Sequence, residues 1–357
     1  MGEKNGFRAF LARKNIEFSA KRYGIDALGA MAQGLFASLL IGTIIGTLGT
    51  QLGVPVLVEI GNFAKGVDGP AMAIAIGYAL QAPPLVLFSL LAVGSAADAL
   101  GGAGGPLAVL VVTIFAAEFG KAVSKETKVD ILVTPLVTIL SGVGLAALVA
   151  PAIGTAASSV GEFVEWATVL QPFWMGIFVS VVVGIALTLP ISSAAICAAL
   201  GLTGLAGGAA VAGCCAQMVG FAVMSFRENR WGGLVAQGIG TSMLQMGNIV
   251  KNPKIWIPAT AASAITGPIA TCVFRFQMND PAGGVASGMG TCGMVGPIGV
   301  YAGWVHDVAT GAKAAITGMD WLAMGLICFV LPAVLTWLIG MFCRKIGWIR
   351  EGDLKLS

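Results

Sequence analysis

The sequence predicts an all-α, polytopic membrane protein of about ten membrane-embedded elements, counted at roughly 20 residues per spanning helix. Two observations carry that class. Hydrophobic residues make up 57% of the 357 residues, charged residues only 10%, and mean hydropathy is +0.90. A soluble domain carries roughly 25% charged residues. Apolar windows long enough to cross the bilayer core recur along the chain, and nothing between them is long enough for a soluble catalytic domain. A third observation points to function. Two Gly-rich stretches, GGLVAQGIGTS from Gly232 to Ser242 and GGVASGMGTC from Gly283 to Cys292, read almost alike. One gap superposes Gly238, Gly240 and Thr241 on Gly288, Gly290 and Thr291. Each stretch then reaches a proline step, Asn252-Pro253 or Gly296-Pro297. Non-helical backbone at membrane depth survives only where protein buries it or where it lines a watery cavity. Paired Gly/Pro-interrupted segments in related parts of a chain mark transporter binding sites. The two stretches are therefore expected to form re-entrant hairpins.

Residues 1–27 form a cytoplasmic or interfacial segment. Lys4, Arg8, Arg13, Lys14, Lys21 and Arg22 alternate with Phe7, Phe10, Leu11 and Phe18, which fits a helix lying on the inner leaflet or a solvated tail. The segment is too charged for a secretory signal. Residues 344–357 are a second basic end, with Arg344, Lys345, Arg350 and Lys355, and the positive-inside rule places both termini in the cytoplasm. An N-terminal membrane half occupies 28–150. Leu28 to Gly53 is its first span, and 54–69 is a connector carrying Glu59, Lys65 and Asp68. Pro83-Pro84 breaks residues 70–98 into either a kinked span or two short segments. Leu107 to Phe119 leads into the charged run Glu118, Lys121, Lys125, Glu126, Lys128 and Asp130, and Ile131 to Ala150 closes the half. Asp98 and Glu118, at span ends, are expected to reach water.

Residues 151–170 are small and polar, with Glu162 and Glu165 beside Phe163 and Trp166. This pattern predicts an amphipathic connector and the domain boundary. The C-terminal membrane half, 171–343, has spans at 173–189, 205–226, 257–274 and 321–342, with an interruption at Pro190 before the short run 194–200. Arg227/Arg230 and Lys251/Lys254 compete for the same side of the membrane. Trp166, Trp231, Trp256, Trp304, Trp321 and Trp348 fall near span ends, as interfacial anchors do.

Polar groups at membrane depth are costly and concentrate at functional sites, and here they are densest in the second half. The candidate solute-binding residues are Gln237, Thr241, Ser242, Gln245, Asn248 and Asn252 in the first Gly-rich segment. Asn279, Asp280, Thr291 and Cys292 are the candidates in the second, with the single histidine, His306, at its edge. Neutral amides and hydroxyls both donate and accept, which suits an uncharged, hydroxylated solute such as a sugar. Lys251 and Lys254 would equally attract a small anion. A competing reading has the amides satisfy backbone freed by broken helices.

No catalytic residue, cofactor, metal or nucleic-acid partner is expected. There is no G-K-[S/T] phosphate loop, H-E-x-x-H helix or paired-aspartate motif, and the seven cysteines show no metal-ligand spacing. A Cys292/His306 hydrolase would need those side chains within hydrogen-bond reach. Three readings are weighed: a permease for a small polar solute, a membrane-embedded sensor that binds a solute without moving it, and, least favoured by the motifs, an intramembrane enzyme.

The run NPKIWIPATAASAITGPIA, from Asn252 to Ala270, and the motif GMGTCGMVGPIG, from Gly288 to Gly299, resemble the membrane subunits (enzyme IIC) of bacterial sugar phosphotransferase systems. Within them, the chain is similar to the branch that includes the perfringolysin-regulator type of membrane protein. The resemblance extends over most of the chain, with its specific motifs in 232–300. It implies an inner-membrane homodimer of roughly ten-helix subunits, in which an N-terminal half makes the dimer contact and an amphipathic connector leads to a transport half. Glucose-type relatives carry an acidic residue in a Gly-Ile-Thr-Glu-Pro-like motif; here Lys251 precedes Asn252-Pro253. The chain holds no enzyme IIA or IIB module, so coupling to phosphorylation falls to a separate soluble IIB-type partner or is absent.

Overall fold

Proline marks the start of several helices in this apolar chain, at Pro55, Pro84, Pro172 and Pro253. The computed structural model describes residues 2–279 and 284–356, with side chains from residue 8 onward. In order, the helices are α1 (Gly2–Arg13), α2 (Arg22–Leu52), α3 (Pro55–Lys65), α4 (Asp68–Ala79), α5 (Pro84–Gly101), α6 (Gly105–Val123) and α7 (Asp130–Thr168). They continue as α8 (Pro172–Thr188), α9 (Ser193–Ala199), α10 (Gly204–Met224), α11 (Phe226–Val235), α12 (Met246–Lys251), α13 (Pro253–Val273), α14 (Val295–Ala309) and α15 (Gly318–Lys345). Extended pairing among the described residues is limited to an isolated antiparallel bridge between Gly204 and Met278. Among the described residues, six stretches are long and apolar enough to cross a membrane: α2, α5 with α6, α7, α10, α13 and α15; α8 is apolar and shorter. The chain divides into two compact units, residues 1–42 with 59–155, and residues 43–58 with 156–357.

In the first unit, α4, α5 and α6 pack in succession and the Ala27–Leu35 part of α2 lies on α4. The Pro83-Pro84 step makes two helices rather than one kinked span. Gln81 turns the chain at φ +56°, Pro83 is extended, and Pro84 opens α5. A proline forces its predecessor out of the helical region and is well suited to a first helical position. The helices cross closely: a Cβ on Gly69 would stand 2.7 Å from the Gly94 carbonyl oxygen. Small residues serve this purpose in lipid. The expected connector 54–69 contains the helix α3. Glu118 does not reach water; it is buried beside Lys121, 2.7 Å away. The Lys121 ammonium also donates to the carbonyls of Asn15 (2.9 Å) and Leu80 (3.0 Å), closing the C-terminal end of α4.

In the second unit the buried helix α10 is surrounded by α8, α13 and α15. Gly176 of α8 and Gly267 of α13 meet backbone to backbone, and any Cβ on Gly267 would collide with the Gly176 carbonyl. The stretch 151–168 continues α7 without a break, Pro135 and Pro151 lying inside the helix. It is amphipathic: Ala157, Gly161, Val164 and Ala167 are buried while Glu162 and Glu165 are exposed. Two tryptophans depart from the anchor expectation. Trp304 is buried edge-on against Trp321, and Trp256 turns its indole N–H into the polar interior.

Candidate functional site

Both Gly-rich segments interrupt the helices beside α10. In the first, Arg230 adopts φ +51° inside α11, a wide turn covers Ala236–Gly240, and Thr241 is extended. Asn252 is extended too; its Oδ1 accepts the Lys254 N–H at 3.2 Å and Pro253 opens α13. This is a polar N-cap followed by proline at the first helical position. In the second, Ser193 Oγ donates to the Gly288 carbonyl at 2.7 Å and Ser287 Oγ to that of Leu202 at 2.5 Å. Gly290 and Gly293 both take φ +52°. A side chain on Gly290 would also press on the Cys214 backbone, so only glycine fits there. The turn Cys292–Met294 packs on Ala236–Gly240, bringing the two segments together.

Sequence likeness is not conformational likeness. Thr241 is extended and its Oγ1 accepts the Met243 N–H at 3.1 Å. Its counterpart Thr291 has φ −81°, ψ 4° and donates to the Met218 sulfur at 3.6 Å.

Two neutral polar networks result. The first centres on Gln217, fully buried on α10. Its Oε1 accepts from Trp256 Nε1 at 2.9 Å and from Thr188 Oγ1 at 3.3 Å, and its Nε2 donates to Thr260 Oγ1 at 3.3 Å. Thr188 also shares a 2.8 Å hydrogen bond with Ser242. The second is a relay of amides. Gln237 Nε2 donates to Ser225 Oγ (2.8 Å) and the Gly233 carbonyl (2.9 Å), Gln245 Nε2 to Gln237 Oε1 (2.9 Å), and Asn248 Nδ2 to Gln245 Oε1 (2.8 Å). Beyond this relay, Gln245, Asn248 and Asn252 donate to main-chain carbonyls of Leu354, Lys355 and Trp348.

The expected residues therefore separate. Ser242 joins the Gln217 cluster; Gln237, Gln245 and Asn248 form the relay, and Asn252 reaches the same C-terminal residues. Thr241 caps a turn. Thr291 faces Met218, the neighbour of Gln217. Cys292 is buried, whereas His306 is exposed on α14. Asn279 Nδ2 donates to Asp307 at 2.8 Å. Asp280 lies outside the described residues. Lys251 and Lys254 are exposed, and the Lys254 ammonium stands 5.7 Å from the Trp348 ring centre. Among the described residues no group of three His, Cys, Asp or Glu side chains is placed to hold a metal ion.

Gln217, Thr188, Trp256 and Thr260 were not among the expected residues. A lone amide in the apolar run GLAGGAAVAGCCAQMVGFAVM was the available signal, since an uncompensated amide at membrane depth needs partners.

No curated protein and no solved structure matches the chain. Compared with protein families, it matches the one described as "Phosphotransferase system, EIIC" over residues 25–356. The chain thus belongs to the phosphotransferase-system EIIC family and is a multi-pass membrane permease component of a sugar phosphotransferase system.

Proposed function

We propose that the solute is an uncharged sugar or polyol and that it is bound at the Gln217 cluster, beside the meeting point of the two Gly-rich segments. The observation that carries this reading is the burial of Gln217 with only neutral partners: Thr188, Trp256 and Thr260, and Ser242 through Thr188. Such groups exchange hydrogen bonds with hydroxyls and offer no counter-charge to an anion. Thr291 and Cys292 bring the second segment to the same helix. Gln237, Gln245, Asn248 and Asn252 serve the solute only in a state in which their present partners have moved.

In this proposal residues 171–343 carry the solute, residues 28–150 make the contact of a homodimer, and both termini are cytoplasmic. Phosphoryl transfer belongs to a separate soluble IIB-type partner. The division into two compact units near residue 155 supports this assignment of halves for residues 59–150 and 171–343, whereas residues 43–58 cluster with the second unit.

A ligand-stability screen of the purified protein tests the reading. Ligand at 100 times its Kd stabilises the folded state by about 2.7 kcal/mol, enough to raise the apparent Tm. A neutral sugar or polyol is expected to do so, and Gln217→Ala to abolish the shift. A shift produced only by small anions, and lost on Lys251→Ala, would contradict it.

A further inference from the structure

The amides of the first Gly-rich segment hold a C-terminal piece of the chain. Helix α15 ends at Lys345 because Gly347, at φ +77°, turns the backbone. The Gly347 N–H donates to the Arg344 carbonyl at 3.1 Å and the Trp348 N–H to that of Cys343 at 2.9 Å, the paired bonds of a helix end with left-handed glycine. Residues 348–356 then form a strap that is neither helix nor strand.

Four side-chain amides grip the main chain of the strap. Asn229 Nδ2 donates to the Leu354 carbonyl at 2.7 Å, and Asn229 Oδ1 accepts the Leu356 N–H at 2.8 Å. Gln245 Nε2 reaches the same Leu354 carbonyl at 3.0 Å, Asn248 Nδ2 the Lys355 carbonyl at 2.9 Å, and Asn252 Nδ2 the Trp348 carbonyl at 3.0 Å. Asn252 also donates to the Asp353 carboxylate at 2.8 Å, and Lys254 lies over Trp348. Two strap side chains are sunk, Ile349 at 2% and Leu354 at 0% exposure, while Arg350, Glu351, Gly352 and Lys355 are exposed.

An amide that donates to one peptide carbonyl and accepts an N–H two residues later reads backbone, as an added strand does in peptide recognition. Gln245 and Asn248 are buried, and buried amides need partners, so the cleft they line requires a polar occupant.

We propose that Asn229, Gln245, Asn248 and Asn252 form a peptide-binding cleft. Residues 348–356 fill it in cis, and it exchanges its occupant with an extended peptide of the same sequence. The strap is then a removable cover on the first Gly-rich segment, and its release frees three of the amides expected to meet solute. This inference concerns peptide binding and stands whether or not the solute is a sugar.

The test uses the full chain. Leu354→Asp puts a charge in the apolar socket and should release the strap, making it open to trimming by limited proteolysis while the wild type resists. A fluorescent peptide of residues 348–356 should bind this variant at least ten-fold more tightly than a scrambled peptide does. It should bind the wild type poorly, because a tethered occupant competes at high effective concentration. Adding Asn229→Ala should weaken the peptide at least ten-fold. The inference is overturned if the variant's strap still resists trimming, or if the peptide binds no better than the scrambled one. It is also overturned if both Leu354→Asp and the milder Leu354→Ser fail to fold, since the strap would then belong to the core.

Discussion

Gln217 is the one strongly polar side chain in the 21 residues of α10, and it accepts from two donors on neighbouring elements. Replacing it with leucine strands the Trp256 indole N–H in the interior. A buried unsatisfied donor costs about 1–3 kcal/mol, so Gln217→Leu is expected to lower stability by that amount in a thermal or denaturant titration. A second residue-scale prediction concerns Arg344, whose guanidinium stands 2.7 Å from the Glu228 carboxylate. The Glu228 side chain is 4% exposed, and its other oxygen has no hydrogen-bond partner. Arg344→Ala leaves that charge uncompensated, a change that costs about 3–5 kcal/mol in buried pairs. The double variant Arg344→Met/Glu228→Leu should recover most of the loss. Residues of this kind are hard to see in sequence, because Arg344 and Glu228 are 116 positions apart. The amide-rich character of Gly232–Asn252 was legible, since polarity in an apolar chain stands out. What those amides bond to was not, because Gln245 finds Leu354 across 109 positions and no local pattern encodes that pairing.

Helices behaved differently, because their limits are set locally. Pro84 and Pro253 each open a helix, as the ring's fixed φ and missing N–H dictate. The continuation of α7 through 151–168 was not legible. Small polar residues weaken a helix only slightly, and burial of Ala157, Val164 and Ala167 outweighs that cost. Close crossings make a sharper prediction. Gly267→Leu has to push α13 off α8, and overpacking of this sort costs about 1–3 kcal/mol or more. Gly144→Leu, where nothing stands within 4 Å of the added Cβ, should be tolerated; thermal unfolding of the two variants in parallel separates them. The N-terminal helix carries the pH prediction. Lys14 lies 2.5 Å and Arg13 2.8 Å from Glu126. The hydrogen bond from Lys14, with the added charge of Arg13, holds the Glu126 carboxyl below its ordinary value of 4.5. A depressed carboxylate stabilises above its unfolded pKa, and that stabilisation is lost as pH falls through the folded one. Protease cleavage after α1 should therefore rise as pH drops below about 4.5, and Glu126→Gln should show the raised cleavage at neutral pH already.

For the whole molecule, family membership and composition agree on a membrane permease, and the proposed solute site lies in the polar interior of the second unit. The apolar class was legible from mean hydropathy alone, and the break in the helices at both stretches from the duplicated glycines. The duplication matters through packing: the two segments differ in backbone conformation yet meet beside one buried helix. The most direct measurement is counterflow of labelled neutral sugars and polyols in liposomes containing the purified protein. Saturable uptake of at least one neutral solute, lost in Gln217→Ala and kept in Gly144→Leu, is the predicted result. Flux confined to small anions and dependent on Lys251, or no flux of any neutral solute, would contradict the account.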